Sequence, residues 1–131
     1  MQMIPLLQII FYLATLFLPA GTARFTLASG YDQKITWVRQ ADGAWRGTQE
    51  DGKDAGLWSV SGLVVSVTTQ GKTEKTDVTQ FVKVAKTASQ EKQVAVLDHP
   101  VTTTATASTL TFSQDKDGLL AKPVVLTIGT K

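Results

Sequence analysis

The chain has 131 residues, no cysteine, one histidine, and thirteen Lys and Arg against eleven Asp and Glu, a formal charge of +2. Positive charge is interspersed with negative and forms no stripe, which speaks against a nucleic-acid partner. With no thiols and one imidazole, neither a disulfide framework nor a zinc site is available, and no cofactor or metal is expected.

The first 23 residues are a different material from the rest. MQMIPLLQIIFYLATLFLPAGTA carries no charged side chain, and every Lys and Arg lies from Arg24 onward. An apolar run from Ile4 to Ala20, then Gly21-Thr22-Ala23 with small residues where a signal peptidase reads, predicts a secretory signal peptide over 1–23. The expected cut follows Ala23. An uncleaved N-terminal anchor is the alternative, although Pro5 and Pro19 trim a run already short for a bilayer. Residues 24–131 then form one exported domain, secreted or periplasmic, with no membrane span once the leader is gone. It holds seventeen Thr and thirteen Val, residues that pack well on a pleated surface and lose rotamer freedom in a helix. An all-β domain follows.

Arg24 to Ser29 alternates as a first strand, expected at a sheet edge. The chain is organised around Lys34 to Glu50, KITWVRQADGAWRGTQE, a β-hairpin turning at Asp42-Gly43. A two-residue loop would set Arg39 against Arg46 and split Trp37 from Trp45. A three-residue loop with Gly43 as a left-handed bulge instead pairs Lys34 with Glu50, Thr36 with Thr48 and Val38 with Arg46. Ile35, Trp37 and Trp45 then enter one core, Trp37 covers Gly47, and Arg39 lies across Trp45.

The loop 49–56 gathers Glu50, Asp51 and Asp54, but Lys53 sits among them and the spacing fits no calcium loop, so it reads as a solvated turn. In Leu57 to Thr69 the apolar parity switches at Ser61-Gly62, which reads as a bulge in a continuing strand. Gln70-Gly71 closes a further hairpin. Residues 76–86 alternate as a strand through Val78, Val82 and Val84, with a short helix near 77–86 as the alternative, because Asp77 and Gln80 resemble a capping box. Gln93 to Leu97 is a strand ended by Asp98-His99-Pro100. The threonine tract from Val101 is an edge strand leading into Leu110 and Phe112, Ser113 to Gly118 is a turn, and Val124 to Ile128 closes the domain. Seven to eight short strands suggest a single antiparallel β-sandwich or small barrel.

Trp37 to Gly43, WVRQADG, resembles the WVRQAPG run of antibody heavy-chain variable domains. It covers seven residues, and the paired cysteines of that family are absent, so no antigen-binding role is implied.

No catalytic constellation is legible. His99 is the lone imidazole, its neighbour Asp98 points to the opposite face of an extended chain, and no nucleophile elbow or HExxH motif occurs. The expected function is therefore non-enzymatic: an extracytoplasmic β-sandwich module binding another macromolecule, protein or glycan, with Arg39, Trp45 and Trp58 as candidate binding residues. The alternative is a small lipocalin-like barrel that carries an apolar small ligand between its tryptophans.

Overall fold

A computed structural model describes residues 5–27, 34–86 and 92–129. The chain opens with a helix, α1 (Leu6–Phe17), and continues as twelve strands. These are β1 (Arg24–Leu27), β2 (Ile35–Arg39), β3 (Trp45–Gln49), β4 (Asp54–Ser61), β5 (Val64–Thr69), β6 (Lys72–Asp77), β7 (Val82–Lys86), β8 (Lys92–Val96), β9 (His99–Pro100), β10 (Thr102–Ala105), β11 (Thr109–Ser113) and β12 (Val124–Gly129). Nine pair antiparallel in the order β10-β11-β12-β1-β2-β3-β4-β5-β6, and β7-β8-β9 form a second sheet. The fold is antiparallel β, as composition requires. The larger sheet keeps two ends, β10 and β6, and is not a closed barrel.

The central hairpin has the register that charge and aromatic pairing demand. Ile35 pairs with Gln49, Thr36 with Thr48, Trp37 with Gly47, Val38 with Arg46 and Arg39 with Trp45. Lys34 lies 3.8 Å from Glu50. Gly43 takes φ +91 and donates its N–H to the Gln40 carbonyl, so the loop has three residues. Beside the Trp37 pairing, the Trp58 ring also reaches Gly47: a Cβ added there would stand 3.2 Å from the Trp58 Nε1. Trp58 reaches it because it comes from the neighbouring strand and pairs with Trp45.

Several expectations need correction. Ser61-Gly62 holds no bulge: Ser61 pairs with Val64, and Gly62-Leu63 is a two-residue turn with Gly62 at φ +61. Leu63 can be apolar there because it packs against the core and its carbonyl accepts the Val78 N–H. The true irregularity lies earlier, where the register shifts between Gly47 and Thr48 opposite Asp54–Gly56. β1 is central, between β12 and β2; its short length resembled an edge, but Phe25 and Leu27 are fully buried. Both alternatives at 77–86 hold in part, since a 3-10 turn over Val78–Gln80, capped by Asp77, leads into β7. The strand ends before Asp98-His99-Pro100, at Val96, but the chain does not leave the sheet: Leu97 and Asp98 adopt positive φ and turn it back into β9. The threonine tract is β10, an edge strand.

α1 occupies the centre of this architecture. Six consecutive residues, Ile9 to Ala14, are at most 5% exposed. At 3.6 residues per turn, six in a row face every direction, so the helix is enclosed on all sides. The concave face of the large sheet covers much of it. Phe11 meets Phe25, Trp37 and Trp58 with ring centroids 6.0, 5.7 and 5.1 Å away, and Phe17 meets Phe112 at 6.0 Å.

The small sheet is a strap across the remaining side. Its Val82, Val94 and Val96 join the same core as α1. At one end of the strap Val78 is bonded to the Gly62-Leu63 turn. At the other, Gln114 Nε2 donates to the carbonyls of Val96 (3.0 Å) and His99 (2.7 Å). Because Gly129 and Arg24 pair near the 40–44 turn while Phe112 pairs with Val124, the β11–β12 loop leaves from the sheet end opposite to Gly62. The strap therefore crosses from one end of the sheet to the other.

Candidate functional site

The site is the volume α1 fills. A helix of twelve residues is about 18 Å long and roughly 10 Å wide with its side chains, which sets the dimensions of the hollow around it. The wall is apolar because strand alternation sends Phe25, Leu27, Trp37, Trp58, Phe112 and Leu126 inward, each at most 3% exposed. Many of their outward neighbours are polar, although Val38, Leu57 and Val125 are not. Thr26 and Thr36, for example, share a hydroxyl hydrogen bond at 3.0 Å on the outer surface.

Two indoles in the wall differ in one respect. Trp58 Nε1 donates to the Ala55 carbonyl at 2.8 Å. Trp37 is fully buried, stacked on Phe25 at 4.9 Å, and among the described residues its Nε1–H has no acceptor. A buried donor without a partner costs about 1–3 kcal/mol.

The mouth lies at the C-terminal end of α1. A depression of about 240 Å³ is lined by Thr15 and residues 18–22 of the leader on one side, and by Arg39, Gly43 and Trp45 of the hairpin on the other. Arg39 is the one charged residue in this lining. It is exposed, and among the described residues its guanidinium has no hydrogen bond or ion pair. Nearby Asp42 is committed to its own turn, where it accepts the Ala44 N–H at 3.0 Å.

The segment that follows α1 is built into the sheet. The Ala23 N–H donates to the Gly129 carbonyl at 2.9 Å, and the Ala23 carbonyl accepts the Arg39 N–H at 2.8 Å. Thr22, 4% exposed, donates its hydroxyl to the Pro19 carbonyl.

Arg39, Trp45 and Trp58 are thus brought together as a row across β2, β3 and β4. Arg39 and half-buried Trp45 stand at the mouth, while Trp58 belongs to the wall. Trp45 meets Phe25 edge-on at 5.0 Å. Sequence reasoning missed Trp37 as a functional group and Gln114 as a tie. A hydrophobic alternation marks an indole as buried but says nothing about what its N–H meets.

The other candidates are structural. Asp51 accepts the Lys53 N–H, Asp54 pairs with Arg46 at 3.1 Å, and among the described residues no three metal-ligating side chains cluster. His99 Nδ1 stands 3.1 Å from Asp115, where the strap meets the β11–β12 loop. That bond holds the Asp115 carboxyl below its usual range. Burial pushes the Tyr12 phenol, on α1, above its ordinary value.

No protein-family model, curated protein or solved structure matches this chain. Among the described residues no helix is long and apolar enough to cross a membrane.

Proposed function

We propose that the chain is exported, loses residues 1–23, and acts outside the cytoplasm as a non-enzymatic carrier that holds an apolar ligand in the space α1 fills. The architecture is then an incomplete barrel with a strap across its open side. One observation carries this reading: the segment with the apolar run and small-residue cut site of a cleavable leader, though without its basic n-region, is also the centre of the core, buried on all faces. Cleavage would leave a hollow walled by aromatic and aliphatic side chains, the usual character of a small-molecule site. The macromolecule-binding alternative finds less support on the exterior. The large hydrophobics exposed among the described residues are Val38 and Val84, which stand in different sheets and make no contiguous patch. The lone imidazole is engaged with Asp115, and no reaction is proposed for it.

The test is to express the full chain in an exporting host, read the mass of the exported product, and extract it with organic solvent for mass spectrometry. A product beginning at Arg24 with a stoichiometric apolar compound supports the carrier. A product that retains residues 1–23, or one that is processed and empty, contradicts it.

A further inference from the structure

The identity of the ligand can be narrowed, on the reading of the hollow as a ligand site. Three features share one axis along β2. The wall is apolar over the length of α1, Trp37 carries a buried N–H without an acceptor, and Arg39 carries an uncommitted cation at the rim. Trp37 and Arg39 are two residues apart on the same face, roughly 7 Å along the strand. The leader helix satisfies the apolar wall alone. Its side chains are uncharged, and among the described residues none of its atoms accepts the Trp37 Nε1–H or hydrogen-bonds the Arg39 guanidinium.

We propose that the hollow takes an anionic acyl amphiphile, tail inward, with an acyl oxygen accepting the Trp37 Nε1–H and the charged head at Arg39. A long-chain carboxylate and a phosphorylated acyl lipid both present this chemistry: a hydrocarbon chain ending in an acyl oxygen and an anion, which are one group shared by Trp37 and Arg39 in the carboxylate and two groups in the phosphorylated lipid. The tail replaces α1 against Phe25, Trp58 and Phe112. An acyl oxygen at Trp37 supplies the acceptor its buried N–H lacks, and a bond to a buried donor recovers a desolvation cost already incurred. The anion meets a guanidinium that is free to fork onto a carboxylate or phosphate.

The test uses the exported product of the full chain, with cis-parinaric acid and its methyl ester as probes excited by energy transfer from tryptophan. The two share tail and carbonyl and differ in charge. The acid is expected to bind more tightly than the ester. Arg39→Gln should weaken the acid about three- to tenfold and leave the ester unchanged, a modest effect because Arg39 is exposed. Trp37→Phe, which keeps a ring in the wall and deletes the donor, should weaken both probes. Thermal melts establish that each variant is folded. Competition by oleate and by lysophosphatidic acid then distinguishes the two sources, and displacement by neither overturns the proposal. Equal affinity for acid and ester, with no response to Arg39→Gln, also overturns it while leaving an apolar carrier standing. Binding of neither probe removes the carrier reading itself.

Discussion

The carbonyl of Ala23 accepts a hydrogen bond from the backbone N–H of Arg39 at 2.8 Å, so the peptide that would be cut to release the leader is a rung of the sheet. A peptidase needs that segment extended and free. In the folded chain it is held by Gly129 on one side and Arg39 on the other, with α1 buried behind it. On the proposed reading, processing precedes folding. Signal peptidase added to the folded full-length chain should leave it intact, while the same enzyme should cut the chain during export. Equal cleavage of the two, read by mass, would show that the end of the leader is not built into the fold.

The facing of β2 sets a contrast between neighbours. Trp37→Ala removes a fully buried ring in contact with Phe11, Phe25 and Trp58 and should cost about 3–5 kcal/mol. Thr36→Ala loses one outward hydroxyl bond to Thr26 and should cost about 1 kcal/mol. Urea denaturation of the two variants compares them directly, and similar costs would deny the assigned faces.

Two glycines in the left-handed region differ in their surroundings. Gly43, at φ +91, has open space where a Cβ would go, so Gly43→Ala should cost the backbone strain alone, about 1–2 kcal/mol. Gly56, at φ +101, would drive a Cβ within 2.9 Å of Val67 and Thr69 side chains, adding overpacking to strain. Gly56→Ala should cost about 2–4 kcal/mol, and the order of the two melting temperatures checks it.

The strap's tie to the β11–β12 loop rests on Gln114 and on the His99–Asp115 contact. Gln114 also accepts the Leu120 N–H at 2.8 Å, so Gln114→Ala breaks three bonds and should cost about 2–4 kcal/mol. The Asp115 carboxyl is held low by His99, so its contribution is present above the ordinary carboxylate range and fades as pH falls through the lowered folded value. Protection of the strap amides, taken relative to the intrinsic exchange rate at each pH, should therefore fall in acid. Asp115→Asn should remove that pH dependence, and a variant that kept it would locate the titration elsewhere.

Much of this fold was legible from residues that constrain each other locally. Thr36, Trp37 and Arg39 had one register that avoided like-charge pairing and kept the rings together, and Gly43 had one conformation that permitted it. What was not legible depended on distant partners. The parity switch at Gly62 is equally a bulge or a turn until Val78 arrives to cover Leu63. The central position of β1 depends on β12, at the far end of the chain. Residues 1–23 are uncharged and largely apolar, and that composition alone does not say whether a helix within them meets lipid, a peptidase or the inner side of its own sheet. Of the site, Arg39 and Trp45 were singled out. Trp37 was taken as core, because the missing acceptor for its N–H is a property of packing and not of sequence.

The most direct test of the hollow is a titration with N-phenylnaphthylamine, an uncharged probe that fluoresces in apolar surroundings, against the processed protein and against the folded full-length chain. The account predicts saturable binding to the processed form, with energy transfer from tryptophan, and none to the chain whose centre α1 fills. Equal binding to both, or binding to neither, would contradict it.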